Sequence, residues 1–177
     1  VVHDIVQSAF VTTGQRCTCA RRLFLENGAT GDAILARLVE VTKQIKIGYY
    51  DDAEQPFLGS LVSEKAALGL IGAENELLEL GGRSLVAMKH TAGTGFVTPG
   101  IVEVTGVAGI ADEEHFGPML KVYRYDDFDA AIAQANDTEF GLSAGLLSDS
   151  EDNWHYFLRR IRAGIVNRNR PTTGANS

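Results

Sequence analysis

Segments with helical periodicity alternate with short apolar runs along the whole chain, and this alternation constrains the fold more than any other feature. Five segments repeat apolar residues at helical spacing, and six shorter runs rich in Val, Ile, Leu and Met separate or follow them. Strands separated by helices of this length are typical of a parallel sheet with helices packed against it. The sequence therefore predicts an α/β layer architecture with a mainly parallel sheet.

Capping residues and glycines mark the ends of the predicted elements. The first helix covers the start of the chain and is expected to end before Gly14. Side-chain oxygens can cap the later helices at Thr30, Ser63, Asp126 or Asp127, and Ser150. The predicted strands span 22–25, 85–88, 101–104, 119–123, 144–147 and 164–166. The irregular segment 48–60 is predicted to be a surface connection.

Composition and charge exclude several classes of protein. With 177 residues and 45% hydrophobic side chains, the chain can form one domain with its own core, so we expect a single domain over 1–177. The net charge of −7 makes a nucleic-acid partner a poor expectation. No apolar run approaches the roughly 18 residues that span a bilayer, and no signal-peptide pattern is present, so we expect no membrane partner.

The start of the chain and its two cysteines indicate the extent of the sequence and the compartment of the protein. A helical apolar stripe begins at Val2 without an initiator Met or a capping residue ahead of it, so we expect this sequence to be part of a longer protein. Cys17 and Cys19 cannot form a disulfide framework, which favours a reducing, cytoplasmic location.

The segment from Gly14 to Cys19 is the first candidate for chemistry. It places the Cys17 thiol just after a helix end, in a polar loop beside Arg16, where a positive charge favours the nucleophilic thiolate. A free cysteine also serves as a small buried apolar residue, so the chemical interpretation is not unique. A zinc site has less support, because the four histidines show no spacing that joins them to the cysteines.

Three ordered motifs carry a resemblance to a known family. They are GQRCTCARRL from Gly14, EEHFGP over 113–118, and NDTEFGL over 136–142. Together they resemble the catalytic-cysteine segment, the Glu-x-Phe-Gly-Pro motif and the following Asn-containing turn of the aldehyde dehydrogenase superfamily. Within it, the motifs, together with RYDDFDAAIA and NRNRPTTG, are similar to the subfamily that oxidises N-succinylglutamate 5-semialdehyde to N-succinylglutamate in bacterial arginine catabolism.

The resemblance implies a fold and a site. The fold would be the catalytic domain of the superfamily, with three layers and helices on both faces of the sheet. Cys17 would be the nucleophile, forming a thiohemiacetal and then a thioester. Glu114 would hold the nicotinamide ribose hydroxyls and Phe116 would pack beside the nicotinamide, so the cofactor would be NAD, with NADP as the alternative.

Substrate binding calls for a cation, because a succinylated glutamate semialdehyde carries two carboxylates. Arginine binds a carboxylate through two parallel hydrogen bonds, and Arg16 and Arg170 are the candidates. Each can equally be a structural arginine that covers the sheet edge.

Other parts of the machinery are expected outside this chain. Glu79 lies in an ELGG string like the one that carries the general base, but it follows Cys17 by 62 residues, whereas in the family that segment precedes the nucleophile. We therefore exclude Glu79 and expect the base, the oxyanion Asn and the N-terminal cofactor domain upstream. By the same resemblance, the full-length protein would form a homodimer or larger assembly, and the isolated chain would be inactive.

Three alternatives remain at this point. The aldehyde can be another one of the same superfamily. The chain can instead be a thiol redox or metal module that uses Cys17 and Cys19. It can also be a non-catalytic assembly domain.

Overall fold

The computed structural model describes residues 1–174, and every predicted helix and strand is present in it. The helices are α1 (Val2–Phe10), α2 (Ala29–Lys43), α3 (Glu64–Glu79), α4 (Phe128–Asn136) and α5 (Glu151–Leu158). The strands are β1 (Arg22–Glu26), β2 (Arg83–Val86), β3 (Gly100–Glu103), β4 (Met119–Tyr125), β5 (Ser143–Leu146) and β6 (Ile165–Arg168). Among the strands, no boundary differs from the prediction by more than two residues, as at β2, which begins two residues early; the first helix ends at Phe10, ahead of the expected end before Gly14.

The strands form two sheets. The larger sheet has the order β1-β4-β3-β2, in which β4 runs parallel to both β1 and β3, while β2 is antiparallel to β3. Strands β5 and β6 pair in parallel as a separate two-stranded sheet. The mainly parallel pairing that the sequence predicts is confirmed, and the division into two sheets is an addition to it.

Helices cover both faces of the larger sheet. One apolar cluster joins this sheet to α1 and α2 and includes Phe10, Leu38, Ile101, Leu120 and Val122. The other joins it to α3 and includes Leu70, Leu77, Val102, Met119 and Tyr123. Because successive residues of a strand point to opposite faces, neighbours such as Ile101 and Val102 enter different clusters. The expected three-layer arrangement is confirmed.

The helix starts follow local side-chain chemistry in three of four cases. The side chains of Ser63, Asp127 and Ser150 accept hydrogen bonds from backbone N–H groups of the first turns of α3, α4 and α5. The expected cap at Thr30 is wrong, because α2 begins one residue before it, after Gly28. Gly28 has a φ of 112° and turns the chain into the helix earlier, which leaves Thr30 inside the first turn.

The segment 48–60 forms neither a helix nor an extended strand, in agreement with the prediction of a connection. It is not wholly superficial, because Leu58 is fully buried and its carbonyl accepts a hydrogen bond from the Gly48 N–H at 3.0 Å. None of the helices within residues 1–174 combines the length and apolar character needed to cross a bilayer.

Candidate active site

Cys17 lies at the corner of a tight turn that follows α1. Thr12, Thr13 and Gly14 all adopt left-handed backbone angles, with φ of 55°, 56° and 67°. They redirect the chain from the helix into the turn, which the Cys19 N–H closes by donating to the Arg16 carbonyl at 3.0 Å. The Cys17 side chain is an exposed free thiol. The local backbone thus presents this thiol to a reactant from solvent.

Gly14 brings the cysteine segment, Gly14 to Cys19, into backbone contact with the Glu-x-Phe-Gly-Pro segment. A Cβ at position 14 would overlap the carbonyl oxygen of Gly117, and its left-handed φ also disfavours other residues. Two of the motifs that the sequence singled out therefore meet in space, although about 100 residues separate them.

Arg21 connects these two segments. Its Nη1 donates to the Gly14 carbonyl at 2.7 Å, and its Nη2 donates to the Arg16 carbonyl at 3.0 Å. The same Nη2 lies 3.5 Å from Glu114 Oε1, and the guanidinium carbon lies 5.0 Å from the centre of the Phe116 ring. Glu114 and Phe116, which the sequence predicts to bind the cofactor, are thereby held beside the cysteine segment by one side chain.

Arg21 was missed by sequence reasoning. A usable signal existed, because Arg21 and Arg22 stand at the start of a predicted buried strand, where unpaired charges are rarely found.

The other side of the cysteine turn is held by the smaller sheet and the segment after it. The carbonyl of Thr18 accepts hydrogen bonds from the hydroxyls of Ser143 at 3.2 Å and Thr172 at 2.8 Å. The backbone N–H of Thr172 donates to the hydroxyl of Ser8 in α1 at 3.0 Å. Sequence reasoning also missed these contacts, because their acceptors and donors come from distant parts of the chain.

The third motif, NDTEFGL, is attached to the second through Asp112. The hydroxyl of Thr138 and the backbone N–H of Glu139 each donate to this carboxylate at 2.7 Å. The Glu139 N–H, and after it the Thr138 hydroxyl, lower the pKa of Asp112 because both stabilise the charged form. All three motifs are thus joined into one group of loops by Arg21 and Asp112.

The two arginines that the sequence proposes for substrate binding have similar surroundings. Arg16 Nε donates to the Thr12 hydroxyl at 2.8 Å, and Arg170 Nε donates to Asn167 Oδ1 at 2.8 Å. Both side chains are exposed, and within residues 1–174 neither forms an ion pair with a carboxylate. Arg16 precedes Cys17 directly, and the Arg170 segment reaches the same turn through Thr172.

Cys19 differs from Cys17 in exposure, since it is buried. It is 6% exposed, and its Sγ lies 3.8 Å from the Val11 carbonyl oxygen. Burial raises the pKa of the Cys19 thiol, so this sulfur stays protonated near neutral pH. Cys19 therefore acts as a packing residue in this structure. No group of three or more His, Cys, Asp or Glu side chains in the described part of the chain could hold a metal ion.

Glu79, which the sequence analysis set aside, is the exposed last residue of α3. The helix ends there because the Gly82 N–H donates to the Leu77 carbonyl at 2.8 Å and Gly81 adopts a positive φ. The ELGG string thus has a structural role as a helix end.

Comparison with known proteins places this arrangement in a family. The model of the aldehyde dehydrogenase family matches residues 1–177. Among solved structures, a putative aldehyde dehydrogenase from Burkholderia cenocepacia is 31% identical, with a TM-score of 0.90 over 99% of this chain and 36% of its own. Aldehyde dehydrogenase 21 from Physcomitrella patens, solved with the reaction product succinate, is 27% identical, with a TM-score of 0.89 over 98% and 36% of the two chains.

A third structure is the NADP-dependent glyceraldehyde-3-phosphate dehydrogenase from Bacillus halodurans, complexed with NADP. It is 28% identical, with a TM-score of 0.86 over 96% of this chain and 35% of its own. The chain therefore spans about a third of the length of these relatives. Since the family model covers every residue, the chain belongs to the aldehyde dehydrogenase family.

Proposed function

We propose that Cys17 is the nucleophile of an NAD(P)-dependent aldehyde oxidation carried out by the full-length protein. The observation that carries this proposal is the turn of Arg16 to Cys19, which exposes one thiol and is held on both sides by hydrogen bonds to its carbonyls. A nucleophile held in one geometry reacts faster, because the entropy of orientation is lost during folding and not during the reaction.

The proposed chemistry begins at the sulfur. The Cys17 thiolate adds to the aldehyde carbon and forms a thiohemiacetal, whose oxygen carries the developing negative charge. The backbone N–H of Cys17 forms no hydrogen bond with the rest of residues 1–174, so it is free to donate to that oxygen. Loss of hydride from the former aldehyde carbon leaves a thioester on Cys17, and water hydrolyses it to the acid and the free thiol. When bound, the oxidised nicotinamide supplies the hydride acceptor.

Glu114 and Phe116 fit the role of cofactor-binding residues. Arg21 lies 3.5 Å from one oxygen of the half-buried Glu114 carboxylate, and the other oxygen stays available to accept hydrogen bonds from ribose hydroxyls. Phe116 is 46% exposed beside this carboxylate, which gives a flat apolar surface for a nicotinamide ring. We infer NAD as the cofactor, with NADP as the alternative that the Bacillus halodurans relative uses.

For the substrate we propose N-succinylglutamate 5-semialdehyde, which is oxidised to N-succinylglutamate in arginine catabolism. Its two carboxylates need two cationic partners, and the exposed Arg16 and Arg170 keep their terminal guanidinium nitrogens free of carboxylate partners among the described residues. The Physcomitrella patens relative was solved with succinate, which is also a dicarboxylate. Other aldehydes of the superfamily are the alternative outcome.

Steady-state kinetics on the full-length protein test the substrate. We expect kcat/KM to be much higher for the succinylated semialdehyde than for hexanal. Arg16→Met or Arg170→Met should raise KM for the semialdehyde about tenfold, the effect of one charged hydrogen bond, and leave KM for hexanal unchanged. Arg37→Met on the outer face of α2 is the matched control. Equal changes for both aldehydes would remove the support for these two residues.

Cysteine variants test the reaction itself. Cys17→Ala should abolish aldehyde oxidation, by about 10³-fold or more, while Cys19→Ala keeps most of it. Equal dependence on both cysteines would instead indicate a thiol redox pair, and an active Cys17→Ala protein would indicate an assembly domain. We also propose a homodimer or larger assembly, a separate N-terminal cofactor domain and a cytoplasmic location, and expect the 177-residue chain alone to produce no NADH.

A further inference from the structure

Arg21 contacts both loops of the candidate active site, the turn that contains Cys17 and the loop that contains Glu114. Its terminal nitrogens are bonded to these loops, and the proposed reaction assigns it no step. We propose that Arg21 is a positioning residue that couples the Cys17 turn to the Glu114 loop, so that thiol presentation and cofactor binding depend on one guanidinium. Its effect on the cofactor rests on the proposed function. The coupling between the two loops does not.

The acceptors of Arg21 divide between the two loops. Gly14 and Arg16 provide carbonyl oxygens on the nucleophile side, at 2.7 and 3.0 Å. Gly117 provides a carbonyl oxygen at 3.4 Å and Glu114 a carboxylate oxygen at 3.5 Å on the other side. Within the described residues, no other side chain donates to both loops. A displacement of either loop must therefore break a hydrogen bond or ion pair of Arg21.

The chemistry of these contacts requires arginine. A planar guanidinium offers donors in several fixed directions, whereas an ammonium group is a single point charge. The Arg21 side chain is only 13% exposed, and its Nε is buried without a partner among residues 1–174. An orphaned buried donor is costly, so the orientation of the side chain is set by the contacts of its two terminal nitrogens. These are the contacts that join the loops.

The consequence for Glu114 is electrostatic as well as geometric. Arg21 is the ion-pair partner of this carboxylate within residues 1–174, and it also lies against the Phe116 ring. Without the guanidinium, the carboxylate loses the cation that orients it, and the ring loses its packing partner. We expect weaker cofactor binding from both losses.

The neighbouring Arg22 provides a matched control. It has the same chemistry one position along the chain, and its Nη atoms donate to the carbonyls of Gln134 and Ala135 at the end of α4. Arg22→Met thus removes two comparable hydrogen bonds whose acceptors lie outside both loops of the site. It should lower stability while leaving the site in place.

Backbone hydrogen exchange on the full-length protein tests the coupling without reference to activity. In Arg21→Met we expect exchange to accelerate about tenfold in both segments at the amides that are hydrogen-bonded there, the Cys19 N–H to the Arg16 carbonyl and the Met119 N–H to the Gly117 carbonyl, because each loop loses a bond to the other. Arg22→Met should change neither segment, and Arg21→Lys should give intermediate rates. Faster exchange in one segment only, or the same pattern in both methionine variants, would overturn the proposal.

Calorimetric titration with NAD and NADP tests the effect of Arg21 on cofactor binding. We expect Arg21→Met to weaken binding about tenfold, and Glu114→Gln to do the same. The double variant should bind no more weakly than either single one, because the two residues act as a unit. Additive losses would overturn the coupling through Glu114. A wild-type protein that binds neither cofactor would refute the proposed function, while the exchange result would still decide the coupling of the loops.

Discussion

The two sheets of this molecule differ in how they are stabilised. In the larger one, β3 and β4 are almost entirely buried, and apolar clusters with helices on both faces enclose them. In the smaller one, Asn167 is the single buried residue among the two strands. Two strands alone are marginal in water, so the smaller sheet depends on contacts with the rest of the protein.

The two sheets also differ in role: the larger one stabilises the fold, and the smaller one positions the turn that contains Cys17. The larger sheet contains the core residues whose burial drives folding. The smaller sheet contributes little to that core, but Ser143 at its edge and Thr172 just beyond it hold the carbonyl of Thr18. The comparison therefore teaches that changes in the larger sheet should appear as lost stability, and changes near the smaller one as altered behaviour of the Cys17 thiol.

Paired leucine substitutions should give the largest difference between the sheets. Leu120→Ala in β4 removes a fully buried side chain and should reduce the free energy of unfolding by about 3 kcal/mol. Leu146→Ala in β5 removes a partly exposed one and should cost about 1 kcal/mol. Urea unfolding monitored by circular dichroism measures both. Equal losses would remove the contrast between the sheets.

Paired glycine substitutions should give the second-largest difference between the two regions, in this case in activity. Gly14→Ala would push the cysteine segment away from Gly117, and a displacement of this kind can lower the rate of the proposed aldehyde oxidation about 100-fold. In Gly145→Ala the new Cβ would lie 3.2 Å from the Thr172 methyl group, a contact that a small shift relieves. Aldehyde oxidation by the full-length protein and the rate of Cys17 alkylation are the measurements. A fully active Gly14→Ala variant would contradict the close approach.

Lys121 is the exception within the larger sheet, since this charged side chain is only 7% exposed. Burial, and after it the Arg22 guanidinium, lowers the pKa of Lys121 in the folded protein, although Asp112 and Glu113 partly offset this. Lys121→Met should therefore stabilise the protein by about 1 to 2 kcal/mol at pH 7.

The pH dependence of this gain has a definite sign. The charged form costs stability in the wild type at neutral pH, and the cost disappears as the pH rises through the lowered pKa towards about 10.4, the ordinary value for lysine. The stability difference between Lys121→Met and the wild type should thus shrink between pH 7 and pH 10.5 in parallel urea titrations. A gap that widens with pH would show that Lys121 stabilises the fold as a cation.

The smallest effect is expected at Thr172, which follows β6 and connects the smaller sheet to the turn of Arg16 to Cys19. Thr172→Val keeps the shape of the side chain but removes the hydrogen bond to the Thr18 carbonyl, at a cost of about 1 kcal/mol. The rate of Cys17 alkylation should change clearly, whereas the midpoint of urea unfolding should change little. Thr173→Val, which removes a bond to the Gln7 carbonyl instead, is the control and should leave alkylation unchanged.

The parts of the fold that the sequence predicts are those determined locally. Ser63, Asp127 and Ser150 cap helices because their oxygens bond to N–H groups only three residues away. Thr30 fails because Gly28, two residues earlier, already turns the chain. The separation of β5 and β6 from the larger sheet depends on pairing between distant segments, and periodicity contains no information about partners.

The same distinction applies to the site. The motifs locate Cys17, Glu114 and Phe116 along the chain, but the contacts that hold these residues use backbone carbonyls of Gly14, Arg16 and Thr18 as acceptors. Every residue has a carbonyl group, so a carbonyl acceptor leaves no signature in the sequence. Thr172 becomes recognisable only when the folded chain brings its partners to it, whereas the position of Arg21 at the start of a buried strand is a signal in the sequence but does not name its acceptors.

The position of β4 between β1 and β3 has a consequence for biosynthesis. Strand β1 has no neighbour in its sheet until β4 is made, and 93 residues separate Arg21 from its ion-pair partner Glu114 in the chain. At the usual 5 to 20 residues per second, a ribosome needs about 5 to 20 s to cover that distance. During this interval Arg21 has no partner on the Glu114 side, so the turn of Arg16 to Cys19 is not yet joined to that loop. The turn that contains Cys17 therefore reaches its folded geometry only after the Glu114 segment has been made.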